Sequence, residues 1–146
     1  FGVTPEQISR AIAAYCPTNN RSELLSTATN TLIVDAYNAN PTSMAAALDN
    51  FQLIEHPHKM AILGGMRELG NASAQEHQAI IDKVATMALD DVWLVGEEFQ
   101  PFAERYRYFP SVEAVAQQLR EHPLHDCLIL IKGSNSQHLY RLPDYL

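Results

Sequence analysis

The sequence predicts an α/β fold, a mostly parallel sheet with helices on both faces. Short apolar runs rich in β-branched residues recur at residues 32–35, 59–63, 92–96 and 127–131, each bounded by turn formers, and read as buried strands. Stretches with helical apolar spacing lie between them. That alternation builds a parallel sheet with right-handed crossovers.

In chain order, Thr4-Pro5-Glu6-Gln7 carries a capping-box pattern, and Ile8, Ile12 and Tyr15 give the helix behind it one apolar face. Pro17 ends that helix, because the residue before a proline is pushed out of helical geometry. Residues 21–31 alternate weakly and read as a short strand or hairpin beside the first parallel strand. After residues 32–35, Asn40 is placed to cap a helix and Pro41 to open it, since a missing N–H costs nothing in the first turn. Met44, Leu48, Phe51 and Ile54 form its inner face.

His56-Pro57-His58 breaks the chain before the second parallel strand; it reads as a connection rather than a metal site, for no third ligand stands near it. Gly64-Gly65 closes that strand and lacks the spacing of a dinucleotide-binding loop. Ser73-Ala74-Gln75-Glu76 predicts a second capping box, followed by an inner face of Ile80, Ile81, Val84 and Met87. The third strand is residues 92–96. A short helix is expected over 99–106 and a short fourth strand over 106–109. Ser111 caps a helix whose inner face is Val112, Val115 and Leu119, stopped by His122-Pro123. Residues 127–131 are the most apolar strand and should be central, with Cys127 a small apolar filler. A last short helix follows from about residue 137.

The 146 residues suffice for one domain, and 47% apolar with 18% charged content fits a globular chain. A net charge of −7 argues against non-specific nucleic-acid binding. Cys16 and Cys127 form no paired motif, which fits a reducing cytoplasm. No apolar run approaches the ~20 residues that span a bilayer, and no signal peptide is visible. The chain does not begin with Met and reads as a piece of a longer one.

Asp35, Gly64, Gly96 and Lys132 all fall at the carboxyl ends of predicted strands, and so share one edge of the sheet. In open α/β sheets ligands bind there. No phosphate-cradling Gly-x-x-x-x-Gly-Lys loop and no nucleophile–His spacing accompanies them, so the chain alone lacks the means to activate a substrate.

The run Asp35-Ala36-Tyr37-Asn38-Ala39-Asn40-Pro41, continued to Ser43-Met44, resembles the C-terminal domain of the Mur ligases. Asn20-Arg21-Ser22-Glu23, Ile62 to Gly70 with Glu76 and His77 behind it, and Leu130-Ile131-Lys132-Gly133-Ser134 resemble further segments of that family in the same order. The resemblance covers nearly the whole chain. It is closest to the branch that joins D-alanyl-D-alanine to UDP-N-acetylmuramoyl-tripeptide in peptidoglycan-precursor synthesis.

The resemblance implies a Rossmann-like domain over residues 18–146, with residues 1–17 as the tail and linker helix of a preceding ATPase domain. It implies an ATP-dependent, amide-forming, cytoplasmic ligase whose ATP and Mg²⁺ are held mainly by that other domain, and an isolated domain without activity. By the same resemblance an acyl phosphate would form on the tripeptide, the dipeptide amine would attack it, and domain closure would exclude water.

By the same resemblance Arg21 reaches the nucleotide phosphates and Asp35 the ribose, while Asn38, Asn40, Lys132 and Ser134 face the substrates. Plainer readings stand beside these: a hinge arginine, an aspartate holding local N–H groups, an Asn40 that only caps, and a lysine running out to water. Two positions depart from the family pattern. Gly65 stands where an Asp is usual, which removes a carboxylate able to hold an incoming ammonium or order a loop. Asn135 stands where an Arg often follows Lys-Gly-Ser. Two other readings are a Mur ligase for a different amino acid and a stand-alone binding module for a nucleotide or small acid.

Overall fold

A computed structural model describes residues 23–27, 29–35, 40–66, 69–87, 89–133 and 138–146. Its centre is a six-stranded sheet in the order β1-β2-β6-β3-β4-β5. The strands are β1 (Glu23–Ser26), β2 (Thr31–Asp35), β3 (Lys59–Gly64), β4 (Asp91–Val95), β5 (Arg107–Phe109) and β6 (Leu128–Lys132). β1 pairs antiparallel with β2, and the other pairings are parallel. The expected hairpin, the third and fourth strands and a central β6 are all present. The N-terminal helix expected before Pro17 lies outside the described residues.

Helix α1 (Pro41–Leu53) starts as its sequence dictates. Asn40 accepts the Ser43 N–H on its side-chain oxygen at 2.8 Å, and the Ser43 hydroxyl accepts the Asn40 N–H at 3.0 Å. Met44, Leu48 and Phe51 are fully buried on the inner face, each contributing about 1.5–3 kcal/mol by leaving water. The Lys59 ammonium donates to the carbonyls of Phe51, Gln52 and Ile54, so a cation closes the negative end of the helix.

Helix α2 (Ser73–Ala85) corrects one expectation. Ser73 is not its cap. A 3-10 turn, Gly70–Ala72, runs straight into the helix, and Ser73 is already helical at φ −55° and ψ −52°. The turn's own carbonyls take the first N–H groups: Ala72 donates to Leu69, and Ser73 to Gly70. The Ser73 hydroxyl lies 3.3 Å from His77 Nδ1 instead.

Helix α3 (Val112–Glu121) keeps its expected cap, with the Ser111 hydroxyl accepting the Ala114 N–H. The segment expected as a helix near residue 99 is a 3-10 helix, Glu97–Phe102, because Pro101 within it has no N–H for an α-helical ladder. The last helix is likewise 3-10, Leu139–Tyr145.

The core has two layers. α1, α2 and the Phe99–Phe102 turn cover one face through Ile33, Ala61, Leu63, Val92, Leu94, Leu128 and Leu130. α3 and the final 3-10 helix cover the other through Leu32, Val34, Met60, Ile62, Trp93, Val95, Ile129 and Ile131. The chain steps outward from β3 to β5 and returns to the centre through α3. Crossovers of one hand require the returning helix to change face, as it does.

At the amino edge of the sheet, Asn30 is buried and ties three segments together. Its amide donates to the Leu124 and Leu146 carbonyls, and its oxygen accepts the Cys127 N–H. The Thr27 and Thr29 hydroxyls also donate to the Leu146 oxygen, at 2.6 and 2.8 Å. Cys127 is half-buried just ahead of β6, not within it, and burial pushes its thiol up from the usual range. The His56-Pro57-His58 connection borders an open cavity of about 450 Å³ at this edge, with Thr27, Thr29, Asn30 and Cys127.

Candidate functional site at the carboxyl edge

The opposite edge gathers the sequence-singled residues. Parallel register aligns Asp35 of β2 with Lys132 of β6, and Lys132 in turn with Leu63 of β3. These strands flank the point where the chain turns back across the sheet, the position at which open α/β sheets bind ligands. Lys132 is 1% exposed, so it does not run out to water as one plain reading had it. It lies two residues beyond Leu130, on the face that α1 and α2 cover.

Glycines strip this edge of side chains. A Cβ on Gly133 would stand 2.9 Å from the Gly64 Cα and from Leu139 Cδ1, so β6 and β3 approach here as bare backbone. Gly65 donates its N–H to Val95, and Gly96 donates to Phe109. Gly96 itself sits at φ 103°, a conformation side chains avoid. Its turn brings Glu98 back toward the edge. A Cβ on Gly65 would collide with the Glu98 carboxylate and stand 3.0 Å from Glu98 Cβ.

His77 holds this corner from beneath. Its ring is fully buried. Nε2 accepts the Met66 N–H at 2.9 Å, which makes Nδ1 the protonated nitrogen, donating to the Ser73 carbonyl at 2.6 Å. The ring meets Phe99 edge-on, with centroids 4.8 Å apart. One imidazole therefore fixes both the segment after β3 and the segment that carries Glu98.

Of the six site residues read from the sequence, the structure aligns Asp35 and Lys132 by register and places Asn40 at the exposed start of α1, where its side chain caps the helix. Arg21, Asn38 and Ser134 lie outside the described residues, as does Asn135. The places of His77 and Glu98 at this corner were not read from the sequence. His77 had a signal, since it precedes Ile80, Ile81 and Val84 at helical spacing on the inner face. Glu98 had none. Among the described residues, no group of three or more His, Cys, Asp or Glu is arranged to hold a metal ion. No described helix is long and apolar enough to cross a membrane.

Residues 20–135 match the family described as Mur ligase, glutamate ligase domain. The chain belongs to the Mur ligase family. It is 29% identical over 151 residues to a Rickettsia prowazekii protein named UDP-N-acetylmuramoyl-tripeptide–D-alanyl-D-alanine ligase, covering 99% of this chain and 34% of the relative. Among solved structures, MurF from Acinetobacter baumannii superposes with a TM-score of 0.71 at 29% identity, over 98% of this chain and 33% of that one. A Thermotoga maritima MurF ligase, described in complex with ADP, superposes at 0.69 with 20% identity, over 88% of this chain and 30% of that one, and shows the shared fold. The chain thus spans about a third of the length of the curated relatives it matches. The five parallel strands with helices on both faces are those of a Mur ligase C-terminal domain.

Proposed function

We propose that this chain is the C-terminal domain of a MurF-type ligase, which uses ATP to join D-alanyl-D-alanine to UDP-N-acetylmuramoyl-tripeptide in the cytoplasm. The observation that carries the reading is continuous likeness to proteins of that name across nearly the whole chain. Residues 1–17 are then the tail of a central ATPase domain, and N-terminal and central domains of the same polypeptide are the partners.

In this reading the tripeptide carboxylate attacks the γ-phosphorus of ATP, giving an acyl phosphate and ADP. The dipeptide amine then adds to the acyl carbon, a proton leaves the nitrogen, and inorganic phosphate departs as the amide forms. This domain's part is to deliver the dipeptide and to close over the acyl phosphate before water reaches it. Arg21 and Asp35 face the nucleotide. Asn38, Asn40, Lys132 and Ser134 face the substrates, with Lys132 suited to a carboxylate. In this reading the Mg²⁺ is held with the ATP by the central domain.

The test is phosphate release by the full-length protein with UDP-N-acetylmuramoyl-tripeptide, ATP and Mg²⁺, with and without D-alanyl-D-alanine. Release that needs the dipeptide and collapses in Arg21→Ala and Asp35→Ala supports the reading. Release that needs another amino acid moves the protein elsewhere in the family. Full activity in both variants removes the two nucleotide roles.

A further inference from the structure

The sheet face under α3 carries a second cluster, at the amino ends of β4 and β5, away from the glycine-lined edge. Register sets Trp93 beside Arg107, and Phe109, two residues on, shares their face. The Trp93 indole is a fixed platform. It is buried, its Nε1–H donates to the Asp91 carboxylate at 2.8 Å, and the Phe109 ring leans on it with centroids 5.1 Å apart. The Arg107 guanidinium lies over the indole, 5.7 Å from the ring centroid. Among the described residues that guanidinium has no ion pair and no hydrogen-bond acceptor. Asp91, the nearest acid, is already taken up by the indole and by the Val92 N–H.

Arg107 and Trp93 border an open cavity of about 440 Å³, together with Gln118 and His122 from the end of α3 and Pro123 and Leu124 beyond it. The Gln118 amide and the His122 imidazole likewise make no side-chain hydrogen bond among the described residues. We infer that this cavity binds a small organic anion, whose carboxylate or phosphate oxygens take the fork of the Arg107 guanidinium. Trp93 holds the guanidinium in place before the ligand arrives, so less freedom is lost on binding. The volume leaves room for a compact body behind the charged group, and Pro123 and Leu124 give that body an apolar wall. The carbonyl end of α3 carries partial negative charge, so an anion here needs the full charge of Arg107 to hold it. The site does not depend on the ligase reading.

The experiment titrates the full-length protein by calorimetry with inorganic phosphate, benzoate and, as a reference, chloride. Wild type should bind phosphate or benzoate at a site that Arg107→Gln weakens about 10- to 100-fold, the worth of a charge-assisted bidentate contact. Arg107→Lys keeps the charge without the fork and should recover only part of that loss. Both variants replace an exposed side chain on an edge strand, so both should fold. Trp93 is the one tryptophan of this chain. Its emission, taken by difference from Trp93→Phe, should change with the same midpoint as the heat.

Phosphate bound more tightly than benzoate assigns the site to phosphate groups, and the reverse order assigns it to carboxylates. Equal affinity in wild type and Arg107→Gln overturns the inference. So does wild-type binding of both probes no tighter than that of chloride, and so does binding that leaves the Trp93 emission unchanged. Full recovery in Arg107→Lys overturns the bidentate contact.

Discussion

His77 accepts the Met66 N–H on Nε2 at 2.9 Å while its Nδ1 reaches the Ser73 carbonyl, so a buried ring joins the end of β3 to the start of α2. His77→Ala should leave the Met66 N–H unpaired and open a cavity beside Phe99. The expected loss is about 3 kcal/mol, read as a lower urea midpoint. His77→Gln keeps an acceptor and should lose about half as much.

Two glycines separate crowding from conformation. Gly133→Ala meets Gly64 backbone at 2.9 Å, and backbone cannot swing aside, so a cost of about 2 kcal/mol is expected. Gly70 faces open space but sits at φ 56°, so Gly70→Ala should cost about 1 kcal/mol, from conformation alone. Thermal unfolding of the two variants should rank them in that order.

Asn40 has a cap that accounts for its side chain and a ligand role that the structure leaves to experiment. Asn40→Ser keeps a capping oxygen and removes the amide, while Asn40→Ala removes both. Stability should fall by about 1 kcal/mol in Asn40→Ala and much less in Asn40→Ser. If the amide also contacts substrate, Asn40→Ser will lower ligation while remaining folded. Activity equal to wild type in Asn40→Ser reduces the residue to a cap.

Burial pushes the His56 imidazole below its usual range; the nearby His58 and Lys59 charges add to this, and Asp90 opposes it. The unfolded chain therefore binds more protons than the folded one as pH falls from the unperturbed value of 6.5 toward the folded one. The penalty is absent above that window and complete below it. Stability should decline as pH falls through it, and His56→Gln should flatten the decline in urea titrations at pH 7.5, 6.5 and 5.5.

The parts of the fold that depend on local sequence were legible. Asn40-Pro41 starts α1 and Ser111 starts α3 because a cap and its N–H groups lie within three residues of each other. The central place of β6 followed from its unbroken apolar run. Ser73 misled because a turn from Gly70 satisfied the N–H groups its hydroxyl was expected to take. Four strand ends were placed on one edge correctly, since alternation alone sets that. Which groups meet there was not legible. The Glu98–Gly65 contact spans two loops, and no periodicity links them.

The tie between Thr27 and Leu146 joins residues 119 positions apart. Closing so long a loop late in folding adds only about 1.5 kcal/mol of entropy over a loop of twenty residues, yet it delays the step. The β1–β2 hairpin forms from neighbouring residues, but its Thr27, Thr29 and Asn30 side chains reach the Leu146 oxygen only once the rest of the sheet has been laid down between them. A folding intermediate that lacks this closure would thus display an unfinished amino edge of the sheet, and chaperones or proteases would meet it there first.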